Sequence, residues 1–478
     1  MSFEILSGVI IDKALTLGAE YTEVRAHRII REEIILKNGK LEAFRGTDES
    51  GLCVRVLVNG CLGFAATNIL TESSVIDVVE RCIRLARASS KLVKSPVKFA
   101  PSETNEVDYL VAEKIKWKNV DLSEKIEFLK SLDEEIIEKE NDVKFPFRAL
   151  KLEYTVEEKR FESSEGSSIT SKIPRVSGEY VLTCVGNSRT IQRIGRVGAS
   201  GGWEVILSRN MEGRIKDDVN ALRNTVLRGR GAPKDEEMDL IVGPEVAGII
   251  AHEAVGHPFE ADRILGREAA QAGESYLRPE EIGMKIGSDE VFVSDNPVIL
   301  SSFGYYLYDD EGVRARKREL IREGRVEELL HNRETAAKMG VKSNGAARAS
   351  GYSAEPIVRM SNTFFEPGSY SFEELLEDVR RGVYIKSFME WNIDDRRINQ
   401  RYVGLESYLI ENGEIKDPII HPVIEVTTFE LLNKLDARGR DLDFWAAICG
   451  KGDPIQGVPV WTGGPHLRFR GIKVGVRK

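Results

Sequence analysis

The sequence predicts an α+β protein of two domains, an N-terminal α+β domain over residues 1–228 and a strand-rich C-terminal domain over residues 229–478. The chain has 478 residues, which is long enough for two large domains. Helical and strand-like apolar patterns occur in both halves, and the second half is richer in strand. Glycine and proline are concentrated in residues 228–233, which places the domain boundary there.

The N-terminal domain is predicted to begin with a helix and to continue with hairpins. Residues 4–17 have the apolar spacing of a helix, which Gly18 ends. The apolar period then shortens, and the dipeptides Asn38-Gly39 and Asn59-Gly60 are typical hairpin turns. The predicted strands are residues 21–29, 32–36, 41–44, 52–58 and 61–66. A second helix follows, whose buried face is predicted to contain Val75, Val79, Cys82 and Ala86.

The rest of the chain alternates helices and strands. An amphipathic helix is predicted over residues 122–140, strands over 148–206, and a helix over 215–227. Beyond the boundary, a strand at 238–242 leads into a helical run that reaches His257, with Pro244 at its first position. Turns are predicted at Asn344-Gly345 and Asn412-Gly413, and Ser371 with Glu374 forms a capping box for a helix that Gly382 ends.

The composition excludes several classes of protein. There are 77 acidic and 68 basic residues, a net charge of −9, which argues against a nucleic-acid-binding protein. The N-terminus lacks the features of a signal peptide, and no apolar run is long enough to span a membrane. Five cysteines at scattered positions suggest reduced thiols rather than a disulfide framework, and we therefore expect a cytoplasmic protein.

The clearest chemical signal is a pair of histidines in the segment His-Glu-Ala-Val-Gly-His over residues 252–257. Zinc hydrolases use imidazole ligands together with a carboxylate that accepts a proton from water. Histidines four residues apart lie about 40° apart around a helix, whereas His252 and His257, five apart, would lie about 140° apart. A shared metal ion therefore requires a π-bulge or a helix end near Gly256. The alternative is that both are ordinary helix residues, one packed and one exposed.

A third metal ligand would have to come from elsewhere in the chain. Cys449 precedes a glycine-rich turn, and Lys451 would favour its thiolate form. An isolated cysteine after apolar residues is more often buried and inert. Near the histidines, Glu260 and Asp262 either orient the imidazoles or form a solvated acidic turn. The full set of candidates is Cys449, His421, His466 and the carboxylates.

Two charged segments have simpler interpretations. Residues 309–312, Asp-Asp-Glu-Gly, are predicted to be a charged turn between strands, although a cation or a peptide amine would also fit. Residues 394–397, Asp-Asp-Arg-Arg, are interpreted as a cluster of ion pairs on the surface.

The segment 252–262 resembles the signature of the TldD/PmbA metallopeptidase family. Further blocks resemble the family in the same order along the chain, namely residues 51–68, 308–312, 359–363 with 367–368, 449–451, 458–460 and 464–465. The chain keeps both histidines and the glutamate, which resembles the TldD-like branch. The PmbA branch lacks them and acts as a non-catalytic partner. Residues 388–408 depart from the family, which more often has a glycine-rich stretch there.

The resemblance implies a zinc-dependent peptidase that degrades small or unfolded peptides, bound as an extra strand at a sheet edge. It implies that His252, His257 and Cys449 hold the Zn²⁺ ion in the C-terminal domain, and that Glu253 is the general base that activates a zinc-bound water. It further implies a homodimer, or a heterodimer with a PmbA-like paralogue. Two alternatives remain, a zinc amidohydrolase acting on non-peptide amides and a non-enzymatic scaffold with structural histidines.

Overall fold

The computed structural model describes residues 3–268 and 273–476, and all structural statements refer to these ranges. Seven strands of the N-terminal half form one sheet in the order β3-β2-β1-β5-β6-β4, with β7 also paired to β6. All pairs are antiparallel except β4 with β6. The strands are β1 (Tyr21–Lys37), β2 (Lys40–Val58), β3 (Cys61–Thr67), β4 (Glu106–Leu110), β5 (Lys144–Ser163), β6 (Ser168–Gly186) and β7 (Arg189–Ser200).

Helices pack on this sheet and enclose two hydrophobic cores. One core lies between the first two helices and β1–β3, and the other lies between the later helices and β5–β7. The helices are α1 (Phe3–Thr16), α2 (Glu72–Ser90), α3 (Leu122–Glu138), α4 (Glu204–Ser208) and α5 (Met211–Arg228). Cys82 is fully buried on α2, as predicted. Its carbonyl oxygen would lie only 2.1 Å from a Cβ at Gly63, so the close approach of α2 to β3 requires glycine there.

Strand β1 is continuous over Tyr21–Lys37, so the prediction of two separate strands at 21–29 and 32–36 is wrong. The apolar alternation lapses around Glu32, which suggested a break in the strand. In the structure Glu32 pairs with Gly46 of β2 and with Tyr154 of β5. Backbone pairing on both sides therefore continues the strand through a polar stretch. The Asn38-Gly39 and Asn59-Gly60 turns are confirmed, and all four residues have positive φ.

The C-terminal half contains most of the remaining strands in two large sheets. A ten-stranded sheet has the order β17-β18-β21-β25-β9-β16-β19-β20-β8, with β22 paired to β25. Its strands are β8 (Arg230–Gly231), β9 (Glu236–Val242), β16 (Arg381–Ile385), β17 (Phe388–Ile393), β18 (Asn399–Gly404), β19 (Ser407–Glu411), β20 (Glu414–Ile420), β21 (Pro422–Thr427), β22 (Leu435–Arg438) and β25 (Leu467–Val476).

The second sheet has six strands in the order β12-β11-β10-β15-β24-β23. A separate hairpin pairs β13 with β14. These strands are β10 (Val293–Asp295), β11 (Arg318–Arg322), β12 (Arg325–Val326), β13 (Ala347–Arg348), β14 (Ile357–Val358), β15 (Asn362–Phe365), β23 (Asp443–Lys451) and β24 (Gln456–Gly464). The helices of this half are α6 (Pro244–Ile250), α7 (Ala261–Ile264), α8 (Arg333–Met339), α9 (Phe372–Glu377) and α10 (Thr428–Lys434).

Helix α6 is the central buried helix of the C-terminal core. Pro244 is its first residue, as predicted, and the helix packs across β24 and β23. A Cβ at Gly248 would lie 2.7 Å from the backbone nitrogen of Gly463, so α6 can approach β24 only because residue 248 is glycine. This packing fixes where the residues after α6 lie.

The α+β class and the strand-rich C-terminal half are confirmed, and the boundary at 228/229 stays a prediction. The Ser371–Glu374 capping box is present, but α9 ends at Glu377, and Gly382 lies in β16. The predicted charged turn at 309–312 is buried, and Oε1 of Glu311 accepts a 2.7 Å hydrogen bond from buried Arg55. Among the described residues, no helix combines the length and apolarity needed to cross a membrane.

Candidate metal centre

The two histidines of the 252–257 segment lie on a π-helical turn. Helix α6 changes to π-helix over Ala251–Gly256, and a short 3₁₀ turn follows over His257–Phe259. The backbone N–H of His257 donates to the carbonyl of His252, the i to i+5 bond that defines a π-helix. The two imidazole rings are therefore adjacent, with centroids 4.9 Å apart. The predicted deformation of the helix is confirmed.

Gly256 allows the π-helical turn to pack closely against Met360. A Cβ at this position would lie 1.9 Å from the sulfur of Met360, which is fully buried. Only a residue without a side chain allows the π-turn to pack against this part of the core.

Cys449 of β23 completes a cluster of three buried side chains with His252 and His257. One ligand atom from each lies within 4.8 Å of the others. Sγ of Cys449 is 3.5 Å from Nε2 of His257. The other candidate His466 is bound to Tyr384 and Asp441 instead. The structure therefore brings together three of the candidates that the sequence suggested.

The donor set fits zinc. A tetrahedral zinc ion with Zn–S of about 2.3 Å and Zn–N of about 2.1 Å separates sulfur from nitrogen by about 3.6 Å. The 3.5 Å between Cys449 Sγ and His257 Nε2 agrees with this value. Nδ1 of His252 is buried without a hydrogen-bond partner in the described part of the chain. Two imidazoles and one thiolate also leave one position open, which is the pattern of catalytic zinc sites.

The charges in the cluster favour the thiolate that a metal requires. Burial alone would raise the pKa of Cys449, but the positive charges of His257 and His252 hold that pKa well below its usual value. For His252, burial lowers the pKa, and the negative thiolate outweighs this effect and raises it. The thiolate form of Cys449 is therefore favoured in this cluster.

A buried carboxylate orients His257. Oε2 of Glu260 lies 3.0 Å from Nδ1 of His257, so Nδ1 carries the proton and Nε2 faces Cys449. Burial would raise the pKa of Glu260, but the ammonium group of Lys451 and the charges of His257 and Arg263 hold it well below the ordinary range. Lys451 also donates to both carboxylate oxygens of Asp262, at 2.7 and 2.8 Å. The solvated acidic turn is thus a wrong interpretation, because Glu260 and Asp262 are both buried.

Glu253 lies beside the cluster and faces a cavity of about 680 Å³, which His252, His257 and Cys449 also line. Its Oε2 accepts a 2.5 Å hydrogen bond from Nη1 of Arg397. The interpretation of 394–397 as a surface cluster is wrong for Arg397, because both side chains of this ion pair are only 10% exposed. Sequence reasoning missed Arg397, and the departure of residues 388–408 from the family was the signal that pointed to its segment.

Strand β23 is an edge strand next to this cavity. It is the last strand of the six-stranded sheet and pairs with β24 on one side. Cys449 lies within β23, so the edge runs past the candidate metal ligands. The cluster therefore lies at the end of a sheet, on a strand paired on one side only among the described residues.

Comparison with known proteins places this chain in a class of metallopeptidases. Family models match at residues 22–89, 115–227 and 235–476, and they describe domain 1, the central domain and the C-terminal domain of PmbA/TldA metallopeptidases. A metalloprotease of Methanocaldococcus jannaschii is 32% identical over 96% of this chain and 97% of its own length. The chain belongs to the PmbA/TldD metallopeptidase family.

A further relative supports the same assignment, and a solved structure shows the same fold. A zinc metalloprotease TldD homolog of Saccharolobus solfataricus is 30% identical over 97% of this chain and 98% of its own. The crystal structure of TldE from Thermococcus kodakarensis matches the fold with a TM-score of 0.74 at 19% identity, covering 98% of this chain and 100% of that one. The resemblance read from the sequence is therefore confirmed.

Proposed function

We propose that this protein is a zinc-dependent peptidase that hydrolyses small or unfolded peptides. The observation that carries the proposal is the convergence of His252, His257 and Cys449, with Glu253 beside them, on the wall of one cavity. In this proposal the first three hold Zn²⁺ and Glu253 is the general base. The family supports a metallopeptidase, and the zinc metalloprotease name of one relative supports zinc.

The chemistry divides between the ion and the side chains. When bound, Zn²⁺ would act as a Lewis acid that polarises the peptide carbonyl and lowers the pKa of a water to about 7. The Glu253 carboxylate accepts a proton from the attacking water as its oxygen bonds to the carbonyl carbon. Glu253 then returns that proton to the leaving nitrogen as the C–N bond breaks. Through its contact with Nδ1, Glu260 would hold the imidazole of His257 so that Nε2 stays available as a zinc ligand.

The position of the site supports extended peptides as substrates. The edge of β23 offers backbone hydrogen bonds to any peptide in β-conformation, which is a mode of binding that depends little on sequence. A folded protein cannot present its own paired backbone to this edge. A substrate must therefore be able to extend and must have an unpaired backbone, and small or unfolded peptides meet both requirements.

The assembly and location belong to the proposal as well. We expect a homodimer, or a heterodimer with a non-catalytic PmbA-like paralogue. All five cysteines are free and buried, which is consistent with a reducing compartment, and we propose the cytoplasm.

The test is the zinc content of the purified protein beside that of Cys449→Ser prepared identically. We expect about one zinc per chain in the parent and a sharp loss in the variant, because one of three protein ligands is removed. Equal zinc in both would remove Cys449 from the ligand set, and no zinc after reconstitution would favour a scaffold.

Activity is then measured on two panels, unstructured peptides and small non-peptide amides. Cleavage of the peptides supports the proposal, and cleavage of the amides alone would indicate an amidohydrolase. A zinc-loaded protein that cleaves peptides only after addition of a PmbA-like paralogue would indicate the heterodimer.

A further inference from the structure

Arg397 is a cation in the cavity that the proposed hydrolysis does not use. Among the described residues, two arginines line this cavity, Arg196 and Arg397. Arg196 binds Glu179 through both Nε and Nη2. Arg397 binds Glu253 through Nη1 alone, and its Nε is buried without a hydrogen-bond partner in the described chain. The guanidinium of Arg397 therefore keeps unused donor capacity beside the proposed base.

The backbone that presents Arg397 is fixed in an unfavourable conformation. Arg397 has a φ of 64°, in the left-handed region that non-glycine residues rarely adopt. The carboxylate of Asp394 accepts hydrogen bonds from the N–H groups of Ile398 and Asn399, at 2.8 and 3.0 Å. The hydroxyl of Thr428 donates to the carbonyl of Arg397 at 2.6 Å. Strain held in place by such contacts is typical of functional positions.

The acidic side chains on the cavity wall are paired with other arginines. Glu245 binds Arg193 through two 2.8 Å hydrogen bonds, and Glu390 binds Arg401. Glu179 is likewise bound by Arg196. Among the described carboxylates of the cavity wall, Glu253 is therefore the one that binds Arg397. An anionic group that enters the cavity and reaches Arg397 therefore competes with Glu253.

The same cavity has an exposed apolar wall. Trp391, Ile448 and Ile194 line it with 43%, 52% and 60% of their surfaces exposed. Large apolar side chains with this exposure, gathered around a cavity, indicate a place for an apolar group of a ligand. The cavity thus offers an apolar surface and a guanidinium close to the proposed metal ligands.

Resting on the peptidase function proposed above, we propose that Arg397 binds the C-terminal carboxylate of a peptide whose last side chain is apolar. A carboxylate matches the fork of a guanidinium and can accept two parallel hydrogen bonds, whereas Glu253 accepts one. The incoming carboxylate takes the guanidinium, and the Glu253 carboxylate is released to accept the proton of the attacking water. Substrate binding thereby frees the base, and the enzyme removes apolar residues from C-terminal ends.

The first experiment compares one unstructured peptide with an apolar last residue in its free-acid and C-terminally amidated forms. For the zinc-loaded parent we expect kcat/KM at least about tenfold higher for the free acid, since a good charge-assisted pair contributes at least that factor. Arg397→Gln should abolish this preference, chiefly by raising KM for the free acid, and Arg397→Lys should restore part of it. Arg381→Gln, which removes an exposed guanidinium bound to Glu236 outside this cavity, should keep the full preference.

Equal cleavage of the two peptides by the parent would overturn the proposal, as would a preference that survives in Arg397→Gln. A third peptide, amidated but with aspartate as the last residue, identifies the source of the carboxylate. Cleavage as slow as that of the plain amide supports the C-terminal carboxylate. Cleavage as fast as that of the free acid would overturn the C-terminal assignment in favour of a side-chain carboxylate.

A binding measurement separates this inference from the peptidase activity itself. Calorimetry with N-acetylphenylalanine and with its amide is carried out on Glu253→Gln, in which the competing carboxylate is gone. We expect the acid to bind more tightly than the amide, and more tightly than it binds the parent. The additional change Arg397→Gln should remove this difference. Equal affinity for acid and amide would overturn the role of Arg397, whatever the protein hydrolyses.

Discussion

Nδ1 of His257 and Oε2 of Glu260 lie 3.0 Å apart, and both side chains are buried. This contact fixes the ring of a proposed ligand from the side opposite to the metal. The same carboxylate oxygen also accepts a 2.7 Å hydrogen bond from Nε of Arg263. Glu260 is therefore held rigidly while it holds His257.

Glu260→Gln should lower zinc affinity by about 10–100-fold, the usual effect of losing a carboxylate that orients a histidine ligand. Competition with a chelator of known affinity measures this change. Glu430→Gln, which alters an exposed carboxylate on α10, serves as the control and should bind zinc as the parent does. Unchanged affinity in Glu260→Gln would show that His257 needs no such support.

Glu253→Gln should keep zinc and lose turnover. The amide cannot accept the proton of the attacking water, so we expect kcat to fall by about 10²–10⁴-fold. Zinc content and peptide cleavage are measured on the same preparation. Loss of zinc in this variant, or retained activity, would count against Glu253 as the general base.

Gly256→Ala should disturb the π-turn. A Cβ there would lie 1.9 Å from the sulfur of Met360, and overpacking of this kind costs about 1–3 kcal/mol of unfolding free energy. We expect both the unfolding free energy and the zinc affinity to decrease, because the same turn carries both histidines. Urea unfolding and chelator competition measure the two effects.

Two matched variants show whether the clash itself is responsible. Gly8→Ala adds a methyl group in α1, where nothing lies within 4 Å, and should leave stability unchanged or raise it by up to about 1 kcal/mol. Met360→Ala combined with Gly256→Ala should recover part of the lost zinc affinity. A fully stable Gly256→Ala protein with normal zinc binding would contradict the packing argument.

Stability should decrease in mildly acidic solution because of His331. Burial lowers the pKa of this imidazole to about 4, although Glu328 opposes the shift. The unfolded chain, with an ordinary pKa of about 6.5, binds the proton more readily than the folded protein does. This contribution to stability is therefore complete above about pH 6.5 and decreases as the pH falls toward 4, by about 3 kcal/mol in total.

The measurement is the free energy of unfolding in urea at pH 7.5 and at pH 4.5, for the parent and for His331→Gln. The variant should lose less stability than the parent between these two pH values, since glutamine does not titrate. Equal losses in both proteins would show that His331 is not responsible.

The sequence predicted the parts of the site that depend on neighbouring residues. The five-residue spacing of His252 and His257 required a deformed helix near Gly256, and the structure has a π-turn there. The hairpins at Asn38 and Asn59 followed equally from local turn chemistry. These features are readable because the residues that determine them are close together in the chain.

Contacts between residues far apart in the sequence were harder to predict from it. Residue reasoning left several third ligands open, and Cys449 is 192 residues from His257. The burial of Asp262 depends on Lys451, 189 residues away, and Arg397 reaches Glu253 across 144 residues. No local pattern reports such pairings, because they arise only when separate strands and helices pack.

The separation of Cys449 from the histidines has a consequence for the biosynthesis of this protein. The histidines leave the ribosome long before β23, the strand that carries the Cys449 thiol, is made. A half-made chain therefore has the proton acceptor and two imidazoles but no complete set of ligands. If the proposed activity holds, the growing polypeptide, itself an unfolded chain, is protected from its own hydrolysis until β23, which carries Cys449, has been translated.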